Sequence, residues 1–212
     1  MDSKVHQYIE KLYPKRSVLF TEMEEFAERE NVPIMETDGM EVLLQWLRIQ
    51  QPKRILEVGT AIGYSALRMA DALPETEIIS IDRDEERLDL AKEFIKRSGF
   101  RDRIHLIFGD ALELQEKAAG YGAYDAIFID AAKSQYSRFF ELYSPLLTKH
   151  GVIYTDNVLF KGLVAEDDPE VTRNVKQLLR KIDRYNHWLM NNKEFDSIIL
   201  PVGDGLAVSK KR

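Results

Sequence analysis

The sequence predicts a single α/β domain over residues 1–212: a doubly wound, mostly parallel sheet preceded by a helical appendage at residues 1–50. Three observations carry that. From Lys53 onward, short apolar runs alternate with helix-patterned stretches, the sequence form of consecutive βαβ units. Residues 1–50 show only the helical period. Near the end, two apolar runs flank Pro201-Val202-Gly203-Asp204-Gly205, a turn-rich connection that predicts a hairpin and so a strand antiparallel to its neighbour.

The elements follow in order. Val5, Ile9, Leu12 and Tyr13 make a first amphipathic set, stopped by Pro14. Val18, Leu19, Met23 and Phe26 make a second, broken at Pro33. Asp38 predicts the cap of a third helix, with Glu41 closing a capping box and Val42, Leu43, Trp46, Leu47 and Ile49 on its apolar face. Strands are expected at Arg54–Val58, Glu77–Ile81, Arg103–Phe108, Tyr124–Ile129 and Gly151–Thr155. Helices are expected between them at Tyr64–Asp71, Asp84–Ser98, Leu112–Ala119 and Tyr136–Leu147. Right-handed crossovers place these helices on both faces of the sheet. A long helix is expected from Pro169 to Met190, since proline suits a first helical position. Strands Phe195–Leu200 and Leu206–Ser209 complete the sheet.

Composition removes several classes of function. The chain has no cysteine, which excludes disulfide scaffolds, Cys-based zinc sites, Fe–S clusters and Cys nucleophiles. Its four histidines, His6, His105, His150 and His187, are scattered, against a multi-His metal site or a Ser-His-Asp triad. The net charge of −6 argues against non-specific coating of nucleic acid, though a local basic patch stays open. Met1-Asp2-Ser3-Lys4 carries no signal-peptide pattern and no apolar run is long enough for a membrane span, so the expected location is the cytoplasm.

In an open parallel sheet, ligands bind at the carboxyl ends of the strands. The first strand ends Glu57-Val58-Gly59-Thr60-Ala61-Ile62-Gly63-Tyr64-Ser65, which lacks both Gly-Lys-Ser/Thr and G-x-G-x-x-G. Its glycines allow a tight turn and close ligand approach. The second ends at Asp82, where an acid can accept both hydroxyls of a ribose, and the third at Asp110-Ala111, where a carboxylate can accept from an adenine amino group. Each acid, with Asp84, also suits a helix N-cap. The fourth ends Asp130-Ala131-Ala132-Lys133 and the fifth Asp156-Asn157. Two carboxylates and an amide are hard oxygen ligands suited to Mg²⁺. Lys133 is a candidate general base if a neighbouring metal and burial favour its neutral form. A strand-end cap, a turn pair and a solvated lysine remain the structural alternatives.

The glycine turn, Asp82, the Asp130–Lys133 motif and the Asp156-Asn157 pair resemble the cation-dependent class I O-methyltransferases, the catechol and caffeoyl-CoA type, over nearly the whole chain. The resemblance implies a Rossmann-like class I methyltransferase fold with a seven-stranded sheet, S-adenosylmethionine as cofactor and Mg²⁺ (or Mn²⁺) as metal. Carried over by residue, Glu57, Gly59 and Ser65 would lie by the amino-acid portion of the cofactor, Asp82 by its ribose, Asp110 and Ala111 by its adenine, and Met35 would touch or cover it. Asp130, Asp156 and Asn157 would bind the metal, with Asp130 at the boundary of both sites, and Lys133 would be the base. The segment Val158–Asp168 would be a lid, and the N-terminal helices would make a homodimer.

Within the family the chain looks most like bacterial members that methylate 5-hydroxyuridine at the tRNA wobble position to 5-methoxyuridine. The 5-hydroxyl and 4-carbonyl of that base can chelate one metal much as a catechol does, and a flipped-out anticodon base can reach such a site. Arg173, Lys176, Arg180 and Arg184 share one helix face, opposite Val171, Val175, Leu178, Leu179 and Ile182. That stripe suits phosphate contacts or a plain solvated face. The alternative substrate is a small catechol-like metabolite, with Trp188, Phe160 and Tyr136 as pocket aromatics or as core. A nicotinamide dehydrogenase is disfavoured by the missing glycine fingerprint, and a non-catalytic nucleotide-binding module by the intact metal-type rim.

Overall fold

The computed structural model describes residues 3–166 and 171–212. Three N-terminal helices, α1 (Ser3–Glu10), α2 (Val18–Arg29) and α3 (Thr37–Gln50), precede the alternating part. That part runs β1 (Arg54–Val58), α4 (Tyr64–Ala72), β2 (Glu77–Asp82), α5 (Glu85–Ser98), β3 (Ile104–Phe108), α6 (Gln115–Ala119), β4 (Tyr124–Ile129), α7 (Tyr136–Tyr143) and β5 (Leu147–Thr155). It closes with α8 (Arg173–Met190), β6 (Phe195–Leu200) and β7 (Leu206–Lys211). The seven strands order as β3-β2-β1-β4-β5-β7-β6. The first five pair in parallel, while β7 runs antiparallel to both β5 and β6. This is the expected mostly parallel, doubly wound sheet, reversing its winding between β1 and β4.

The parallel strands are buried on both faces, which is why they read as near-continuous apolar runs. Ile55, Ala126, Phe128, Val152 and Tyr154 face the layer of α2 to α5. Leu56, Val58, Ile127, Ile129 and Ile153 face α7, α8 and the α6 region. Each fully buried branched or aromatic side chain contributes about 1.5–3 kcal/mol, so these two layers hold the strand ends in register. Polar contacts reinforce the β5 end: the Tyr136 hydroxyl donates to the Asp156 carbonyl (2.7 Å), the hydroxyls of Thr155 and Tyr185 pair at 2.8 Å, and Asn186 Nδ2 donates to the Val158 carbonyl (2.8 Å).

Several boundaries differ from the sequence expectation. Asp38 does not cap α3. Glu36 holds the N-cap position, and Asp38 lies in the first turn, where an acid still favours the helix dipole. No capping box forms, because Glu41 pairs with Arg68 of α4 at 2.5 Å. Asp84 does cap α5, accepting from Arg87 N. The expected Leu112–Ala119 helix shortens to α6: Asp110 accepts from Leu112 N at 2.9 Å, closing a turn before it. Helix α7 stops at Tyr143 ahead of Pro145, and β5 begins at Leu147 rather than Gly151, with a register irregularity opposite Tyr124 and Ala126. Asp167, Asp168 and Pro169, expected as lid end and helix start, lie outside the described residues. Helix α8 begins at Arg173 and is capped by Thr172, whose side chain accepts from Val175 N. Among the described residues, no helix is long and apolar enough to cross a membrane.

Candidate active site

A cleft of about 840 Å³ opens at the carboxyl ends of β1 to β5, at the switch point of the sheet. One half is built on the β1–α4 loop. Gly59 sits at φ +108°, and a Cβ there would lie 2.0 Å from the Asp130 carbonyl oxygen, so the backbones of adjacent strand ends meet in van der Waals contact only because it is glycine. Ala61 is held at φ +44°, a strained value for a residue with a Cβ, and Asp82 Oδ2 accepts from its N–H at 2.8 Å. Asp82 Oδ1 accepts from Asp84 N at 3.0 Å. A carboxylate offers about four lone-pair sites, so Asp82 keeps acceptor capacity toward the cleft it lines.

Gly59, Ser65, Asp82, Asp110, Ala111 and Met35 all line the cleft. Met35 is also part of the core beneath it. Glu57 is not at the cleft surface. It is fully buried below the loop, where Ser65 Oγ donates to Oε1 (2.5 Å) and Ser80 Oγ to Oε2, with Thr60 joined to Ser80. Burial pushes its carboxyl up to about 8. There it holds the hydroxyl of Ser65, which lines the cleft.

The other half gathers Asp130, Lys133, Asp156 and Asn157, all lining the cleft. Asp130 follows β4 and Asp156 follows β5, adjacent strands whose register brings the two carboxyls to one rim. Burial pushes both carboxyls up, and for Asp156 the charge of Asp130 adds to it. Two poorly solvated carboxyls facing each other favour a bound cation. Asn157, at φ +58°, turns its side chain back so that Oδ1 accepts from Lys133 Nζ at 2.5 Å. Among the described residues, no group of three His, Cys, Asp or Glu side chains is arranged to hold a metal. The third donor here is an amide, and two carboxylates with an amide fit a hard divalent cation that keeps water or substrate oxygens as further ligands.

The pocket aromatics separate. Phe160 lines the cleft; Tyr136 is core, and Trp188 stacks with Tyr185 and meets the edge of Phe140. Asp204, Arg83 and Arg87 also line the cleft without having been singled out in the sequence, beside Lys161 of the segment expected as a lid. Arg83 reaches Asp110 Oδ2 at 3.6 Å across the adenine-side rim. Asp204 comes from the β6–β7 turn, whose Pro and Gly residues signal a turn so fully that nothing in the segment points to the cleft.

The family described as O-methyltransferase matches residues 11–212. A caffeoyl-CoA O-methyltransferase of Stellaria longipes is 30% identical over 98% of this chain and 90% of its own length. Among solved structures, a Staphylococcus aureus protein provisionally named a caffeoyl-CoA O-methyltransferase is similar with TM-score 0.88 and 37% identity, covering 99% of this chain and 96% of that one. An O-methyltransferase of Bacillus cereus in complex with SAH is similar with TM-score 0.82 and 25% identity, covering 99% of this chain and 97% of that one.

Proposed function

Because the chain belongs to the O-methyltransferase family, we propose that it is a Mg²⁺-dependent enzyme that moves the methyl group of S-adenosylmethionine to an oxygen of its substrate. The observation that carries this is the single cleft joining an oxygen-donor rim, Asp130, Asp156 and Asn157, to a glycine turn with acids at the next two strand ends. In this reading Gly59 and Ser65 receive the amino-acid portion of the cofactor, Asp82 its ribose, Asp110 and Ala111 its adenine, and Met35 covers it. The bound cofactor supplies an electrophilic methyl carbon, so in-line positioning is most of the task. Asp130, Asp156 and Asn157 would hold the cation, which would supply Lewis acidity that lowers the pKa of a substrate hydroxyl and fixes its direction. Lys133 Nζ, held on Asn157 Oδ1, takes the hydroxyl proton.

That last role has a direct check. Lys133→Ala should slow single-turnover methyl transfer about 100- to 10,000-fold, the range for a positioned base, while cofactor affinity changes little. An unchanged single-turnover rate would remove Lys133 as the base.

For the substrate we propose 5-hydroxyuridine at the tRNA wobble position, in the cytoplasm. Its support is chemical, in the vicinal oxygens of the base, and geometric, in the basic face of α8. Arg173, Arg180 and Arg184 are exposed there, Lys176 is half-buried, and α8 packs beside the 133–135 and 163–165 turns at the cleft. The exposed apolar side chains of α1, Val5 and Tyr8, and of Leu12 just after it support a homodimer. A small catechol-like substrate is the second reading, favoured by relatives named for caffeoyl-CoA and by Phe160 in the cleft.

The test is methyl transfer from labelled S-adenosylmethionine to bulk tRNA containing 5-hydroxyuridine, beside a catechol panel, each with Mg²⁺ and with chelator. Label in tRNA nucleosides that chelator abolishes is the expected result. Label only in catechols moves the substrate to a small metabolite, and label that survives chelation overturns the metal requirement. Arg180→Glu should weaken tRNA binding and flatten its salt dependence, by about one unit of slope per lost phosphate contact. Equal affinity would return the stripe to a plain solvated face.

A further inference from the structure

The β6–β7 turn holds the segment that follows β5. Val158 N donates to the Gly205 carbonyl (3.0 Å), and Leu159 N and Phe160 N donate to the Asp204 carbonyl (2.9 and 3.2 Å). Lys161 N donates to Asp204 Oδ1 (3.1 Å), and Asn157 Nδ2 donates to Asp204 Oδ2 (3.4 Å). Every residue from Asn157 to Lys161 thus donates to the Asp204–Gly205 pair. Asn157, Phe160 and Lys161 all have positive φ, a conformation that persists in such residues only where the surroundings over-determine it. Gly205 must be glycine here, because a Cβ would sit 2.7 Å from Leu159 N.

The Asn157 amide is bracketed by groups of opposite hydrogen-bonding character. On one side Lys133 Nζ donates to its Oδ1; on the other its Nδ2 donates to a carboxyl oxygen of Asp204. Both contacts are met in one orientation, Nδ2 toward Asp204 and Oδ1 toward Lys133 on the rim with Asp130 and Asp156. We propose that Asp204 is the positioning residue of the metal site: it locks the Asn157 amide oxygen-inward. With its other oxygen it ties down the strap carrying Phe160 and Lys161 over the cleft. The inference rests on the reading of Asp130, Asp156 and Asn157 as metal ligands.

Two substitutions with the same loss of charge separate this role from a merely structural one. Asp204→Asn keeps the shape and can still accept from Lys161 N, but then turns its own NH₂ toward Asn157, donor against donor, and favours the flipped amide. Asp204→Ala loses both bonds but forces no flip. Mn²⁺ binding, read by electron paramagnetic resonance without cofactor or substrate, should fall about 10- to 100-fold in D204N, the usual cost of losing a partner that orients a ligand, and less in D204A. Hydrogen exchange at Lys161 N should show the reverse order, faster in D204A than in D204N. The double variant N157D/D204N restores a carboxylate facing an amide and should recover Mn²⁺ affinity over D204N. Mn²⁺ affinity that follows the exchange order, or a double variant as weak as D204N, overturns the positioning role. A wild-type chain that binds no Mn²⁺ overturns the metal reading itself, and this inference with it.

Discussion

Gly59→Ala should abolish cofactor binding and cost the chain much of its stability. Two separate terms act at this position. The φ of +108° is one that residues with a Cβ rarely adopt, and the added methyl would stand 2.0 Å from the carbonyl oxygen and 2.7 Å from the carbonyl carbon of Asp130. Both atoms are backbone, so no rotamer change relieves the overlap. Asp130 N donates to the Val58 carbonyl and Gly59 N to the Ile81 carbonyl, both at 2.9 Å, so relief means pulling apart strand ends hydrogen-bonded in register. A clash of this kind belongs with the few substitutions costing about 4 kcal/mol or more. A 1 Å displacement of a positioning group costs about 100-fold, and here Gly59 and Asp130 shift together. The measurement is S-adenosylhomocysteine titration calorimetry with thermal unfolding, with Gly99→Ala as reference. Gly99 also has positive φ, +81°, but a Cβ there meets nothing within 4 Å. Its cost should be the conformational term alone, about 1–2 kcal/mol. Ligand affinity in Gly59→Ala within twofold of wild type would show that the β1 and β4 ends are not in obligatory contact.

That contact marks where sequence reading succeeds and where it stops. Arg54–Val58 and Tyr124–Ile129 are legible as strands because a strand buried on both faces is apolar throughout, and their acid- or glycine-bearing ends are legible because an open sheet binds ligand there. The failures share one cause: a partner distant in sequence overrode a local rule. Glu41 has the spacing of a capping box but is drawn to Arg68 of α4. Glu57 reads as a cleft acid but is turned under the loop by Ser65 and Ser80. Tyr136 and Trp188, open in sequence to a pocket or a core role, pack as core: Tyr136 against Tyr185 and Trp188 against Phe140, contacts that only the docking of α8 on α7 makes. Asp204 is the reverse case. Its segment satisfies every local expectation of a turn, so its contact with Asn157, across 47 residues of chain, left no sign in the sequence.

Asp156→Ala should remove metal-dependent activity while leaving the cofactor half of the cleft able to bind. The two halves are separate enough for this outcome: Gly59, Ser65, Asp82 and Asp110 are placed by β1 to β3, whereas Asp156 follows β5 and its backbone is held by Asp156 N donating to the Ile129 carbonyl and by Tyr136 donating to the Asp156 carbonyl. Neither bond involves the carboxyl, so truncating it leaves the strand end anchored. A metal acting as Lewis acid supplies several kcal/mol to a transition state; about 4 kcal/mol corresponds to about a thousandfold in rate, the loss expected in kcat with Mg²⁺ present. Thermal unfolding gives an independent reading. A ligand at a hundred times its dissociation constant stabilises the folded state by about 2.7 kcal/mol, so saturating Mn²⁺ should raise the Tm of the wild-type chain and leave that of Asp156→Ala unmoved. S-adenosylhomocysteine should raise both. Full activity in Asp156→Ala, or an Mn²⁺-induced shift as large as in wild type, would move the metal away from this rim. Loss of the S-adenosylhomocysteine shift would mean that the two halves of the cleft are not built independently.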